Sequence, residues 1–148
     1  MLRVSRLADY AVNLVAHFSR HPEVTYSATE ASVITNLQLP TVRKVMKLLA
    51  KTNILTASRG LNGGYILTVD IDSISLADVI EAVDGPIAIL DCIDSTDYSC
   101  SLPACSLKPH WETVNKAIRE TLAGIMINDF MTQKHNEIYI SIEDVTNV

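Results

Sequence analysis

Residues 39–69 read LPTVRKVMKLLAKTNILTASRGLNGGYILTV, and within them the apolar repeat changes from a helical to a strand period. Val42, Val45, Met46 and Leu49 recur at spacings of three and four, the stripe of an amphipathic helix. That helix begins at Pro40, a residue suited to the first turn, and runs to about Thr52. Lys44, Lys47 and Lys51 fall almost opposite the stripe, with Arg43 to one side. Beyond Thr52 the period drops to two. Ile54–Ser58 and Tyr65–Val69 read as strands joined by Arg59-Gly60-Leu61-Asn62-Gly63-Gly64, whose Asn-Gly pair and further glycines supply the positive φ angles of a hairpin tip.

Upstream, Leu7, Tyr10, Ala11, Leu14, Val15 and Phe18 form one helical face, closed by Pro22. Ser27-Ala28-Thr29-Glu30 is a capping box that opens a second helix, ending near Asn36. Three helices followed by a hairpin is the order of a winged helix-turn-helix, so a mainly α fold with a small β-hairpin is expected. Downstream, a fourth helix follows Ser75, with Leu76, Val79, Ile80 and Val83 on one face, and stops at Asp84-Gly85-Pro86. Residues 87–108 show no helical period and read as an ordered loop that something must hold. From Pro109 a long fifth helix carries Trp111, Val114, Ile118, Thr121, Leu122 and Ile125, spaced near 3.5 residues over two heptads. A second copy of the chain is the simplest cover for that stripe, giving a C-terminal dimerisation helix. The expected division is a winged-helix domain over 1–86, a cysteine-bearing segment over 87–108, a dimerisation region over 109–131 and a tail over 132–148. In the tail, Ile138, Ile140 and Ile142 alternate briefly, as a strand or a disordered segment would.

The chain of 148 residues has 48% hydrophobic and 20% charged residues, a globular composition. It has no apolar run of the roughly 20 residues a membrane span needs, and no signal peptide is expected at its start. A soluble cytoplasmic protein without a membrane partner is the expectation. Its formal charge of −5 hides a split: residues 1–69 carry eight Lys+Arg and three Asp+Glu, residues 70–148 four and fourteen. A basic half can attract a polyanion while an acidic half faces elsewhere, although charge asymmetry also occurs without any nucleic-acid partner.

A helix with a cationic face can enter the major groove of double-stranded DNA. Thr41, Arg43, Lys44 and Lys47 are the side chains that would reach base edges or phosphates. Arg59 at the hairpin tip suits the negative potential of an adjacent minor groove. Arg3 and Arg6, ahead of helix one, would touch phosphates, and Ser27 at the start of helix two joins the DNA-facing set. A solvated basic face is the alternative for each of these residues.

All three cysteines lie in one stretch, Cys92, Cys100 and Cys105, spaced C-x7-C-x4-C. In a reducing compartment they point to thiols or metal ligands and away from disulfides. Three thiolates can hold zinc or an iron–sulfur cluster, with a fourth ligand or an open position. The spacing is wider than that of zinc knuckles. His110 and Asp9 are both available as a fourth ligand, and free thiols are the alternative. No Ser/His/Asp set, phosphate-cradling glycine loop or HExxH occurs, so no enzyme is expected.

Several stretches together resemble the iron–sulfur cluster-sensing winged-helix regulators of the IscR and NsrR type, especially regulators of the SUF cluster-assembly system. They are Met1–Ala11, Leu39-Pro40-Thr41-Val42, Ser58–Tyr65 and Val79–Pro86, followed by the three cysteines and Trp111. The resemblance spans about residues 1–131. It implies a homodimer whose long C-terminal helices pair, each near helix one of the other subunit. It also implies a cluster, 2Fe–2S or 4Fe–4S, on Cys92, Cys100 and Cys105 that adjusts affinity for a DNA operator. IscR-type proteins carry a histidine three residues after the third cysteine, where this chain has Lys108; NsrR-type proteins use an aspartate of helix one, and Asp9 matches it. The function implied is a dimeric regulator, a repressor of cluster-assembly or stress genes. A thiol- or metabolite-responsive regulator on the same fold and a protein-interaction module that reads no DNA are the alternatives.

Overall fold

The computed structural model describes residues 3–60, 63–94 and 106–131. In chain order it contains α1 Arg6–Phe18, α2 Ala28–Thr35, α3 Leu39–Lys51, β1 Leu55–Ser58, β2 Gly64–Leu67, α4 Leu76–Asp84, α5 Asp91–Asp94 and α6 Lys108–Ala123. Two 3-10 turns, Ile71–Ser73 and Ile127–Phe130, complete it. This is the mainly helical fold with a two-stranded antiparallel hairpin expected of a winged helix.

Serine hydroxyls start three of the helices. Ser5 accepts from the Ala8 amide, while Ser27 and Ser75 form full capping boxes with Glu30 and Asp78. Asn36 ends α2 in the left-handed region at φ 54°, which asparagine tolerates better than most residues, and the chain turns into α3 within three residues. Leu14, Val15 and Phe18 of α1 meet Val42, Val45, Met46 and Leu49 of α3 in one buried cluster. Ile54, Leu55, Leu67, Ile74 and Val79 close it. Phe18 stacks on Tyr26, with ring centroids 4.6 Å apart.

The hairpin pairs Leu55 with Leu67 through Ser58 with Gly64. Tyr26 adds a further rung, its N–H donating to Tyr65 O at 2.9 Å and its carbonyl accepting from Tyr65 N–H at 2.8 Å. The wing is thereby fixed to the residue just ahead of α2. Only Gly60 among the described tip residues needs a positive φ, +131°. Gly64 is required by space: a Cβ there would lie 2.5 Å from the Tyr26 carbonyl oxygen.

Three features depart from the sequence expectation. The stretch 87–108, read as loop, contains the one-turn α5 and the start of α6 at Lys108. The strands are shorter than expected, and α6 ends at Ala123, before Ile125. Residues 125–127 then rejoin the winged-helix core. Leu76 N–H donates to Ile125 O at 2.7 Å, Ile127 N–H to Ile74 O at 2.9 Å, and the Ile127 side chain is fully buried. The alternating isoleucines of the tail, and Cys100 and Cys105, lie outside the described residues. Among the described residues no helix is long and apolar enough to cross a membrane.

Because Ile127 has no exposure and its neighbours are backbone-bonded, Ile127→Ala leaves a cavity that the chain cannot collapse into. The expected loss is about 2–4 kcal/mol of unfolding free energy, measured as a lower urea midpoint at unchanged slope.

Candidate nucleic-acid interface

Burial of Val42, Val45, Met46 and Leu49 leaves Arg43, Lys44, Lys47 and Lys51 exposed on the far side of α3. Thr41 is half-buried at the first turn, and Pro40 beside it is exposed. The N-cap residue of α3, Gln38, makes no side-chain cap bond. Arg59 follows β1 directly and is exposed on the wing, and Arg6 is exposed at the first residue of α1. The wing, the start of α2 and α3 are thus tied together by the Tyr26–Tyr65 rung and the shared core. Ser27 is occupied by its cap: its hydroxyl accepts from Glu30 N–H at 3.2 Å, and its own N–H donates to the Glu30 carboxylate at 2.8 Å. That backbone N–H, and then the hydroxyl, hold the Glu30 carboxyl below its ordinary value.

Arg3 stands apart from this set. It lines a cleft of about 420 Å³ with Ile80, Asp84, Ile87, Ile89 and Ile118, at the junction of α4 and α6. Ser5 Oγ donates to Asp84 there at 2.9 Å.

The sulfur donors are described in part. Cys92 is a half-buried free thiol in α5. Asp9 is exposed in the first turn of α1, and His110 is exposed in the first turn of α6. Among the described residues no three His, Cys, Asp or Glu side chains come together as a metal site. Cys100 and Cys105 are not among them. The donor chemistry suits a cluster nonetheless: three thiols within one short segment offer the soft ligands iron–sulfur groups take, and Cys92 is only partly covered.

Sequence reasoning missed the contacts around α6. Arg119 donates to both carboxylate oxygens of Glu81, at 2.8 and 2.9 Å, joining α6 to α4. Asn115, one turn earlier, bonds the backbone at Ile87 and Ile89. The lower part of the α6 stripe, Ile118 and Leu122, is half-buried, whereas Leu107, Trp111 and Val114 are 57%, 42% and 43% exposed.

A helix-turn-helix with an outward basic stripe and an Arg-bearing wing is a DNA-reading geometry. The family model of Rrf2, described as an iron-dependent transcriptional regulator, matches residues 4–133. The chain belongs to the Rrf2 family. It is similar to the solved structure of T. potens IscR, with 25% identity, a TM-score of 0.63, and coverage of 88% of this chain and 86% of that one. CymR, the global cysteine regulator of B. subtilis, shares the fold at 21% identity and a TM-score of 0.67, over 88% of this chain and 97% of its own. A Neisseria meningitidis serogroup A protein assigned as an HTH-type transcriptional regulator is 23% identical over 138 residues, 91% of each chain. As an Rrf2 protein the chain is a DNA-binding transcriptional regulator and not an enzyme.

The Arg119 guanidinium holds the Glu81 carboxyl below its ordinary value, with the Ile87 N–H assisting against partial burial. A depressed carboxyl contributes stability above its unfolded value, near 4.3, and loses it as pH falls through the lower folded one. Glu81→Gln should therefore flatten the acid limb of a stability–pH curve, at a cost of about 1 kcal/mol at neutral pH for this half-exposed pair. Urea unfolding between pH 3 and pH 7 measures both.

Proposed function

We propose that this Rrf2 protein is a homodimeric repressor of cluster-assembly or stress genes, closest in kind to the SUF regulators, whose operator affinity is set by an iron–sulfur cluster. The observation that carries the DNA part is the single outward face formed by Arg43, Lys44 and Lys47, with Arg59 on a wing anchored to the start of α2. Thr41, Arg43, Lys44 and Lys47 would read or grip the major groove, and Arg59 the adjoining minor groove. Arg6 and Ser27 would meet phosphates at the rim, with Arg3 reaching in from the α4–α6 cleft. Residues 1–86 serve as the reading domain, 87–108 as the sulfur-bearing segment and 109–131 as the dimer region. Exposed Trp111 and Val114 on α6, with Leu107 just ahead of it, are the reason for a second copy: three neighbouring apolar side chains gain by leaving water together. This assembly would act in the cytoplasm, where thiols stay reduced.

Cys92, Cys100 and Cys105 would hold the cluster, 2Fe–2S or 4Fe–4S. Asp9 is the favoured fourth ligand, presented on an exposed face of α1 to the segment of the other subunit, with His110 the competitor. When bound, the group supplies a centre whose loss reports on iron supply, oxidants or nitric oxide. The chain's own part is to hold the sulfur segment against α6, so that occupancy favours one spacing of the two recognition helices.

Two measurements check this reading. Protein prepared without oxygen should be brown, with iron and sulfide in stoichiometric amounts, and Cys92→Ala should be colourless. A colourless wild type holding zinc, or no metal, replaces the cluster with a thiol-responsive regulator. Duplex binding should fall steeply with salt, by roughly a thousandfold between 50 and 200 mM if six or more phosphates are neutralised. Arg59→Ala should weaken operator binding about tenfold and lower the salt slope. An unchanged affinity removes the wing from recognition.

A further inference from the structure

The backbone that leads into Cys92 is held chiefly by Asn115 of α6, with Glu81 of α4 at its start. Asn115 of α6 accepts from Ile89 N–H through Oδ1 at 3.0 Å and donates through Nδ2 to Ile87 O at 2.9 Å. Both partners lie 26 and 28 residues away in sequence, so the contact is tertiary and fixes the strap 87–89 against the helix. A carboxamide offers its acceptor and its donor on two separate atoms, so one side chain meets both an N–H and a carbonyl two residues apart on the strap. The strap then runs through Leu90, whose carbonyl accepts from Ile93 N–H at 2.9 Å, into the single turn that carries Cys92.

The other end of the connection is equally defined. One turn beyond Asn115, Arg119 grips Glu81 in α4, and Glu81 also accepts from Ile87 N–H at 3.4 Å. After α6 the chain is pinned again, by the Ile74–Leu76 rungs with 125–127 and by Asn128 Nδ2 donating to Asp72 at 2.6 Å, in the 3-10 turn ahead of α4. A displacement of the Cys92 turn therefore has a route of packed and bonded groups to the reading domain, with α6 as its rigid member. Glu81 and Arg119 fasten α6 to α4 whatever happens at Cys92. Among the side-chain hydrogen bonds of the described residues, those of Asn115 are the ones that join α6 to the strap.

We infer that Asn115 is the positioning residue that couples the state of Cys92 to helix α6, and through it to the recognition helices. The inference rests on the proposed reading that occupancy of the cysteines alters DNA affinity. Loss of the Asn115 bonds should leave the α3 and wing surface intact, because Arg43, Lys44, Lys47 and Arg59 lie on other elements and Arg3 alone of the proposed contacts shares a cleft with the strap, yet release the strap so that occupancy no longer reaches α6.

The test compares the wild-type chain, Asn115→Ala and Asn115→Asp, each first with its thiols reduced and free of metal and then loaded anaerobically with ferrous iron and sulfide. Wild-type duplex affinity should change about tenfold on loading, and that of Asn115→Ala less than about twofold, with the metal-free affinity of all three alike. Amide hydrogen exchange on the metal-free proteins supplies a readout independent of loading. Ile89 N–H should exchange faster in Asn115→Ala and stay protected in Asn115→Asp, which keeps the acceptor and loses the donor toward Ile87. A purely structural role would lower the unfolding midpoint and leave the loading response as in the wild type; that result overturns the inference while the switch stands. A wild type whose affinity ignores loading overturns the switch itself, and the coupling with it.

Discussion

Val42, Val45, Met46 and Leu49 leave water only if Arg43, Lys44 and Lys47 stay in it. Each of those apolar side chains, fully buried against α1, is worth about 1.5–3 kcal/mol. Rotating α3 by half a turn would forfeit that and place several cations in the core, at several kcal/mol apiece. No plausible gain on the surface competes. The direction of the basic face is thus a by-product of core formation, fixed before any nucleic acid is present. It also explains why this half of the protein can carry a concentrated positive charge in a chain of net charge −5: the cations are spread along one solvated face, and the acids lie in later segments.

The wing depends on the same core by a shorter route. Leu55 and Leu67 sit in the buried cluster, which sets the base of the hairpin, and the Tyr26 rung sets its tilt relative to α2. Gly64 is the hinge of this arrangement, since any side chain would meet the Tyr26 carbonyl. Arg59 and Ser27, far apart in sequence, are consequently held in one rigid frame. Two contacts of this kind with a duplex constrain its path far more than two contacts on independent loops would.

Much of this was legible in the sequence because it is periodic or uses strong local signals. The stripe of α3, the serine caps, Asn36 at the α2 end and the glycine-rich wing all express local preferences that the tertiary structure keeps. What could not be read is what lacks a period. Asp91-Cys92-Ile93-Asp94 makes a single turn, too short to display one. Ile127 ends a run of three apolar residues after Gly124, too short to show a period, and its burial is decided by the rungs that 125–127 make with Ile74 and Leu76, some fifty residues away. Asn115 reads as an ordinary polar position of a surface helix, since its partners are main-chain groups with no sequence signature. The proposed metal donors are the intermediate case: the cysteine spacing offers three sulfur ligands in one segment, while nothing local chooses between Asp9 and His110 as a fourth.

The choice between those two turns on where α6 goes. His110 lies in the first turn of α6, on the same helix as exposed Trp111 and Val114, a little over one turn ahead of the Asn115 that clamps the strap. A histidine there shares its helix with the apolar face that a second chain would cover. Asp9 sits on α1, whose opposite side is committed to the core, so its carboxylate position is set by the reading domain itself. If a ligand on α1 completes a site begun by Cys92, the sulfur segment becomes attached to the reading domain directly and to α6 through Asn115. A ligand at His110 would close the site on α6 alone and leave α1 out of the linkage. The first arrangement would make the metal group a direct tie between α6 and α1, where the second reaches the reading domain only through the Arg119–Glu81 contact, and that is the physical ground on which the proposed reading prefers Asp9.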